Sequence, residues 1–162
     1  MSITRRHLAV ILAVSLLAIG GALFSQYVGG LQPCELCLLQ RWPYYLAIPL
    51  AGLGLALFKG GRGAQAVLAL CALLFLADAG IAAYHVGVEQ HWVQGPTACT
   101  GSAGSAKTIE ELRAQIMAAQ PVRCDEPQFA LFGVTMAGWN VAATLFLAGI
   151  ALRGLLADRK NP

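Results

Sequence analysis

Four long apolar stretches limit the possible folds of this sequence more than any other feature. They cover residues 8–24, 39–58, 64–83 and 132–152. Each is close to the roughly 20 residues that an α-helix needs to cross about 30 Å of hydrocarbon. Hydrophobic residues make up 57% of the chain and charged residues only 12%, which is unlike a soluble domain. We therefore predict an all-α fold, in which residues 1–162 form one polytopic membrane domain with a four-transmembrane-helix bundle.

The basic residues predict how this bundle is oriented, because Lys and Arg are retained on the cytoplasmic side. Seven of the eleven lie at the two chain ends or between the second and third stretches: Arg5, Arg6, Lys59, Arg62, Arg153, Arg159 and Lys160. Three of the other four lie in the connection over about residues 84–131, and Arg41 lies just after the connection over about residues 25–38. We expect both termini in the cytoplasm and these two connections outside, in a compartment that permits disulfides.

The first stretch also has features of a secretory signal, since Arg5 and Arg6 precede its apolar run and small residues lie near its end. Its apolar length exceeds the usual ~7–15 residues of such signals. We favour a retained helix, and the cysteine-bearing connections are external under either interpretation.

The longer external connection contains a predicted short helix. Thr108 and Glu111 have the spacing of a capping box, and apolar residues then recur at helical spacing: Ile109, Leu112, Ile116 and Met117. This amphipathic helix would lie on the bilayer surface or pack on the protein.

Four cysteines lie in the external connections. Cys34 and Cys37 form a C-x-x-C pair, which is typical of a redox-active dithiol because the short loop lets the disulfide form and break easily. Cys99 and Cys124 lie in the longer connection. If the two pairs come within reach, electrons can pass between them by thiolate attack on a disulfide. The alternative is that these cysteines form inert bridges in a structural or adaptor protein.

Gln40 and Arg41 follow the C-x-x-C pair at the expected membrane boundary. If one helix holds both Cys37 and Arg41, their i,i+4 spacing puts them on one face. The guanidinium would then favour a thiolate or the anionic oxygen of a reduced cofactor. The alternative is that Arg41 is an interfacial anchor, although its position beside the cysteines favours a functional role.

The third stretch carries polar residues along one face. Cys71, Asp78 and His85 are spaced by seven residues, about two helical turns, and Glu89 follows one turn after His85. An ionisable side chain inside a membrane helix is costly, so Asp78 is a candidate functional residue, or else a partner in an interhelical hydrogen bond. His85 is a candidate for proton transfer or for donation to a cofactor oxygen. We interpret Cys71 as a core residue and Asn140, in the fourth stretch, as an interhelical hydrogen-bonding residue.

Other chemistries fit the cysteines less well. Zinc sites usually contain two closely spaced cysteine pairs, whereas Cys99 and Cys124 are 25 positions apart. The residue after Cys37 is leucine, which excludes the c-type haem attachment motif. We predict no metal site and no nucleic-acid partner.

Five blocks of sequence resemble the DsbB family of quinone-linked disulfide bond formation proteins of bacterial inner membranes. They are Pro33–Trp42 with Cys34, Cys37 and Arg41, then Tyr84–Glu89, Pro96–Cys99, Arg123–Glu126 and Leu131–Asn140. The order of these blocks and the four apolar stretches around them make the resemblance specific.

The resemblance implies an activity: a thiol:quinone oxidoreductase that reoxidises DsbA, a periplasmic thioredoxin-fold dithiol protein. Cys99 and Cys124 would form the disulfide that oxidises DsbA, and Cys99 would form the mixed disulfide. Electrons would then pass from Cys124 to Cys34 and Cys37, with Cys37 facing a ubiquinone or menaquinone. Arg41 would bind that quinone.

The resemblance says less about the other candidates. His85 matches a family histidine near the quinone, whereas some members have an acid at the position of Gln40. Gln40, Glu89 and Asp78 are weaker candidates for the cofactor site, and Asp78 matches no family motif. A related enzyme of reversed direction or with a dedicated partner, as in vitamin K epoxide reductase-type proteins, is a further alternative.

Overall fold

A computed structural model describes residues 2–96, 108–110, 113 and 122–159 of the chain. Its elements with defined bounds are five helices and one hairpin. The helices are α1 (Ile3–Tyr27), α2 (Glu35–Leu39), α3 (Trp42–Leu57), α4 (Gly61–Glu89) and α5 (Met136–Arg159). The antiparallel strands β1 (Ala130–Leu131) and β2 (Val134–Thr135) form the hairpin.

Three helices in the described part of the chain are long and apolar enough to cross a membrane. They are α1, α4 and the Met136–Ala157 portion of α5. The protein is therefore a helical membrane protein. Helix α3 has 16 residues and spans only about 24 Å at 1.5 Å per residue, which is less than a typical hydrocarbon core.

The second apolar stretch is divided between two helices. Helix α2 ends at Leu39, and α3 begins at Trp42 with Pro43 in its first turn. A proline is tolerated there because the first N–H groups of a helix have no intrahelical acceptor. The condition that one helix holds both Cys37 and Arg41 is therefore not met, because Arg41 is the N-cap residue of α3 and Cys37 belongs to α2.

The last helix begins four residues later than the fourth apolar stretch, because residues 130–135 form the hairpin. Phe132 and Gly133 occupy the turn with φ values of 54° and 77°. Positive φ at both central residues suits a tight hairpin turn but not a right-handed helix. The described chain is otherwise mostly helical, as the predicted all-α fold requires.

A core of small and branched apolar side chains joins the long helices. Leu8 of α1, Ala51 of α3, Leu68 of α4 and Leu147 of α5 are all fully buried there, and Cys71 lies among them as predicted. Gly54 lets α3 approach its neighbours closely, since an added Cβ would lie about 3.1 Å from Val67 and 3.2 Å from Leu8.

The two ends of the bundle differ in charge. Arg5, at the start of α1, donates hydrogen bonds to the carbonyl oxygens of Leu55 and Phe58 at the end of α3. Lys59 and Arg62 adjoin this end, which lies opposite the C-x-x-C pair before the start of α3.

The predicted amphipathic helix falls almost entirely outside the described residues.

Candidate active site

Cys34 and Cys37 form a close thiol pair at the start of α2. Cys34 is the N-cap residue, and its sulfur accepts a hydrogen bond of 3.3 Å from the backbone N–H of Cys37. The two Sγ atoms lie 2.8 Å apart. Cys34 is 5% exposed and Cys37 is half-buried. The predicted C-x-x-C pair thus lies in a protected position, with both thiols free.

The surroundings favour the thiolate of Cys34. The pKa of Cys34 lies well below the 9.0 of an ordinary thiol, chiefly because the Cys37 thiol hydrogen-bonds to its sulfur, with smaller contributions from His85 and the Cys37 N–H. Burial opposes this shift. The same thiol contact and burial raise the pKa of Cys37. The pair therefore holds its negative charge on Cys34 and its proton on Cys37.

His85 and Glu89, one turn apart on α4, face this pair. The Nε2 atom of His85 lies 3.6 Å from the Cys34 sulfur and 3.8 Å from Oε1 of Glu89. The other Glu89 oxygen accepts a 2.6 Å hydrogen bond from the Thr135 hydroxyl on β2. Both α4 side chains are nearly buried. His85 therefore contacts the reactive sulfur directly.

A chain of amide groups leads from His85 into the bundle. The Gln40 amide nitrogen lies 2.8 Å from Nδ1 of His85, and the Gln40 amide oxygen accepts a 2.8 Å hydrogen bond from Asn140. Asn140 also donates to Asp78 at 3.3 Å and accepts from the Tyr44 hydroxyl at 2.6 Å. These contacts join α3, α4 and α5, so the interhelical role predicted for Asn140 is confirmed.

A cavity of about 370 Å³ opens beside the thiols. Its polar wall contains Cys37, Gln40, Arg41, His85 and Glu89. Apolar side chains of α1 and α5 also line it and form an apolar wall, among them Leu17, Ala18, Ala22 and Ala143. The guanidinium of Arg41 donates a 2.6 Å hydrogen bond to Gln26 of α1. Arg41 and Cys37 therefore line one cavity although they lie on different helices.

The second cysteine segment packs directly on the first. Cys124 is 2% exposed and belongs to the same buried cluster as Cys34, Leu36 and Val88. A backbone hydrogen bond from Gln32 to the Gln128 side chain also joins the two segments. Cys124 is disulfide-bonded, and Cys99 lies outside the described residues.

The structure brings most of the predicted site residues together around this cavity. Among the predicted site residues that the structure describes, Asp78 is the exception, because it lies behind Asn140 and does not line the cavity. Sequence reasoning missed Tyr44 and Gln26 as hydrogen-bonding partners of Asn140 and Arg41. Tyr44 lies near the expected membrane boundary in the sequence, but its side chain is only 3% exposed.

Comparison with known proteins identifies the family of this chain. Residues 4–153 match the family described as disulfide bond formation protein DsbB. The chain belongs to the DsbB family. Members of this family take part in disulfide bond formation, which is an oxidoreductase activity, and the resemblance stated from the sequence is confirmed.

The relatives cover nearly the whole chain. Disulfide bond formation protein B 1 of Pseudomonas fluorescens is 28% identical over 97% of this chain and 92% of its own length. The B proteins of Burkholderia pseudomallei and Aromatoleum aromaticum are 27% and 29% identical, each over 96% of this chain and over 91% and 95% of their own lengths. No solved structure matches the chain.

Proposed function

We propose that this protein is a thiol:quinone oxidoreductase of the bacterial inner membrane that reoxidises a DsbA-type dithiol protein of the periplasm. The observation that carries the proposal is the packing of Cys34 and Cys124 in one buried cluster, next to a cavity that Cys37 and Arg41 line. Disulfide exchange requires such proximity between sulfur atoms.

The cysteines carry out two exchanges. A partner thiolate attacks Cys99 in the Cys99–Cys124 disulfide, and Cys124 leaves as a thiolate. Closure of the partner disulfide releases Cys99. Cys124 then attacks Cys34 in a Cys34–Cys37 disulfide and releases Cys37 as a thiolate. Attack by Cys99 on Cys124 restores the second disulfide and leaves Cys34 and Cys37 reduced, so two electrons have moved from the partner to this pair.

The cavity residues fit a quinone. Its apolar wall suits the ring and isoprenoid chain, and Arg41 supplies a positive charge near Cys37. When bound, the quinone would supply the acceptor for two electrons and two protons. Arg41 would orient an oxygen atom of the quinone. His85 would favour the thiolate of Cys34 through its contact with the Cys34 sulfur.

We also propose that α3 is a fourth membrane span and that both termini are cytoplasmic. The short helix is continued towards the thiols by residues 35–41, which lengthens the path across the bilayer. The basic end formed by Arg5, Lys59 and Arg62 would face the cytoplasm, and the thiols would face the periplasm.

The proposed function is tested by quinone reduction in nanodiscs. The purified protein is given a reduced DsbA-type protein and either ubiquinone or menaquinone. We expect one quinone to be reduced for each partner disulfide formed. Partner oxidation without quinone reduction, or no exchange with the partner, would refute the proposal. Net reduction of the partner by quinol would indicate the reverse reaction instead.

A further inference from the structure

We propose that Asp78 is a positioning residue that acts on His85 through Asn140 and Gln40. This chain of side chains holds Nδ1 of His85 as a hydrogen-bond acceptor and turns the Nε2–H group towards Cys34. The inference deepens the proposed function. It rests on that function only where an effect of Asp78 on turnover is concerned.

The direction of the hydrogen bonds is set at Asp78. Asp78 is fully buried, and its Oδ2 atom accepts from Asn140. An acceptor oxygen at this position keeps the NH2 group of the Asn140 amide on this side. The Asn140 oxygen then accepts from the Tyr44 hydroxyl.

Gln40 links the Asn140 amide to His85, and its own amide orientation is fixed by Asn140. Its amide oxygen accepts from the same Asn140 NH2 group, so its own NH2 group faces Nδ1 of His85. An amide NH2 group cannot accept a hydrogen bond, and Nδ1 must therefore be unprotonated. Gln40 is 6% exposed and His85 is 2% exposed, so both groups are largely shielded from water.

The neutral ring must then carry its proton on Nε2. That nitrogen lies 3.6 Å from the Cys34 sulfur and 3.8 Å from Oε1 of Glu89. A hydrogen bond from Nε2–H stabilises the Cys34 thiolate. With the other tautomer, a bare nitrogen would face the sulfur and this stabilisation would be lost.

Helix association alone does not require the carboxyl group of Asp78. Asn140 already joins α5 to α3 through Tyr44 and Gln40. The second Asp78 oxygen, Oδ1, is buried and has no hydrogen-bond partner among the described residues. Such a group is costly inside a membrane protein, and a role in fixing the amide orientations accounts for its presence.

The direct test is the protonation of His85 in the reduced full-length protein in nanodiscs, without quinone or partner. The chain has three histidines, so ¹⁵N-histidine labelling gives a simple spectrum, in which the His85→Gln variant identifies the signals of His85. We expect an unprotonated Nδ1 and a protonated Nε2. A protonated Nδ1, in the other tautomer or in the imidazolium, would overturn the proposal.

Variants then test the chain of contacts. Asn140→Leu should populate the Nδ1–H tautomer and raise the midpoint pH of Cys34 alkylation, which mass spectrometry of the Cys34 peptide follows. His85→Ala should raise the midpoint by about one to two pH units, and Asn140→Leu by part of that amount. An Asn140→Leu spectrum identical to wild type would contradict the proposal.

Two comparisons separate positioning from a general structural effect. Thr144→Val alters a buried residue one turn further along α5 and should change neither readout. Among the described residues, the Thr144 hydroxyl bonds only to the carbonyls of Asn140 and Val141. Asp78→Asn keeps an acceptor oxygen and should preserve the tautomer, whereas Asp78→Leu should not. Equal effects of Thr144→Val and Asn140→Leu would overturn the proposal. None of these readouts needs quinone, so their failure would leave the proposed function standing.

Discussion

Helices α3, α4 and α5 bury different chemistry in their two halves. Away from the thiols, they contribute Ala51, Leu68 and Leu147 to an apolar core. Towards the thiols, His85 of α4 and Asn140 of α5 join Gln40, which lies just before α3, in a chain of hydrogen bonds with Asp78 of α4 behind them. Packing in the first region depends on shape, whereas in the second the direction of each donor matters. Substitutions in the core should change stability, and those near the thiols should change reactivity.

The largest contrast is expected between two cysteines. Cys37→Ser should lower quinone reduction by about 1,000-fold or more, because it removes a sulfur that carries the electrons. Cys71→Ala is the matched control in the apolar core and should keep near-normal turnover. Quinone-reduction assays in nanodiscs measure both, and normal turnover of Cys37→Ser would refute the role of Cys37.

The pH dependence of alkylation gives the next largest contrast. A thiol with its pKa at 9.0 has about 1% thiolate at pH 7, so it reacts about 100-fold below its maximum. Since the pKa of Cys34 is lowered, its thiolate persists at neutral pH and is lost only as the pH falls through this lower value. Reduced Cys34 should therefore react near its maximal rate at pH 7, while Cys71 stays protected.

This lowered pKa also has a thermodynamic consequence. The Cys34 thiolate increasingly stabilises the reduced fold as the pH rises from its lowered folded pKa towards the ordinary thiol range, and this gain is lost as the pH falls through the folded pKa. Above the ordinary thiol range the raised pKa of Cys37 opposes the gain. The reduced state of the pair is favoured accordingly, which makes its disulfide more oxidising. An alkylation rate that still rises steeply between pH 7 and 9 would contradict this assignment.

Arg41 provides a smaller and more specific contrast. Arg41→Met should raise the KM for quinone by about tenfold or more, since a hydrogen bond from a charged group contributes about 1.5–3 kcal/mol. The KM for the dithiol partner should change little. Arg153→Met, at the basic end of the bundle, is the control. An unchanged quinone KM would identify Arg41 as an interfacial anchor.

The smallest effect on the chemistry is expected in the apolar core. Leu147 is fully buried, and Leu147→Ala should lower the free energy of unfolding by about 2–5 kcal/mol through the cavity that it leaves. Below the unfolding temperature, kcat/KM should match wild type. Thermal unfolding in detergent and turnover at a low temperature measure the two quantities. If Leu147→Ala lowered turnover without lowering stability, the assignment of the apolar core to stability alone would be contradicted.

The apolar stretches and the cysteine spacing predicted much of this molecule, because both signals are local in sequence. The helix break at Gln40 and Arg41 was harder to locate, since Pro43 is compatible with either a kink or a new helix. Phe132 gave no sign of its positive φ, which a bulky residue seldom adopts. The contacts among Gln40, Asn140 and Asp78 depend on how three helices are rotated about their axes, and one sequence does not specify those rotations.

The most direct test of the account is whether Cys34 and Cys124 can form a disulfide with each other. In the Cys37→Ser/Cys99→Ser double variant, Cys71 is the only other cysteine, and it is buried in the core. After mild oxidation in nanodiscs, peptide mapping by mass spectrometry should find an intramolecular Cys34–Cys124 disulfide in most molecules. If both cysteines remain free thiols, or bond only between molecules, the proposed electron path is contradicted.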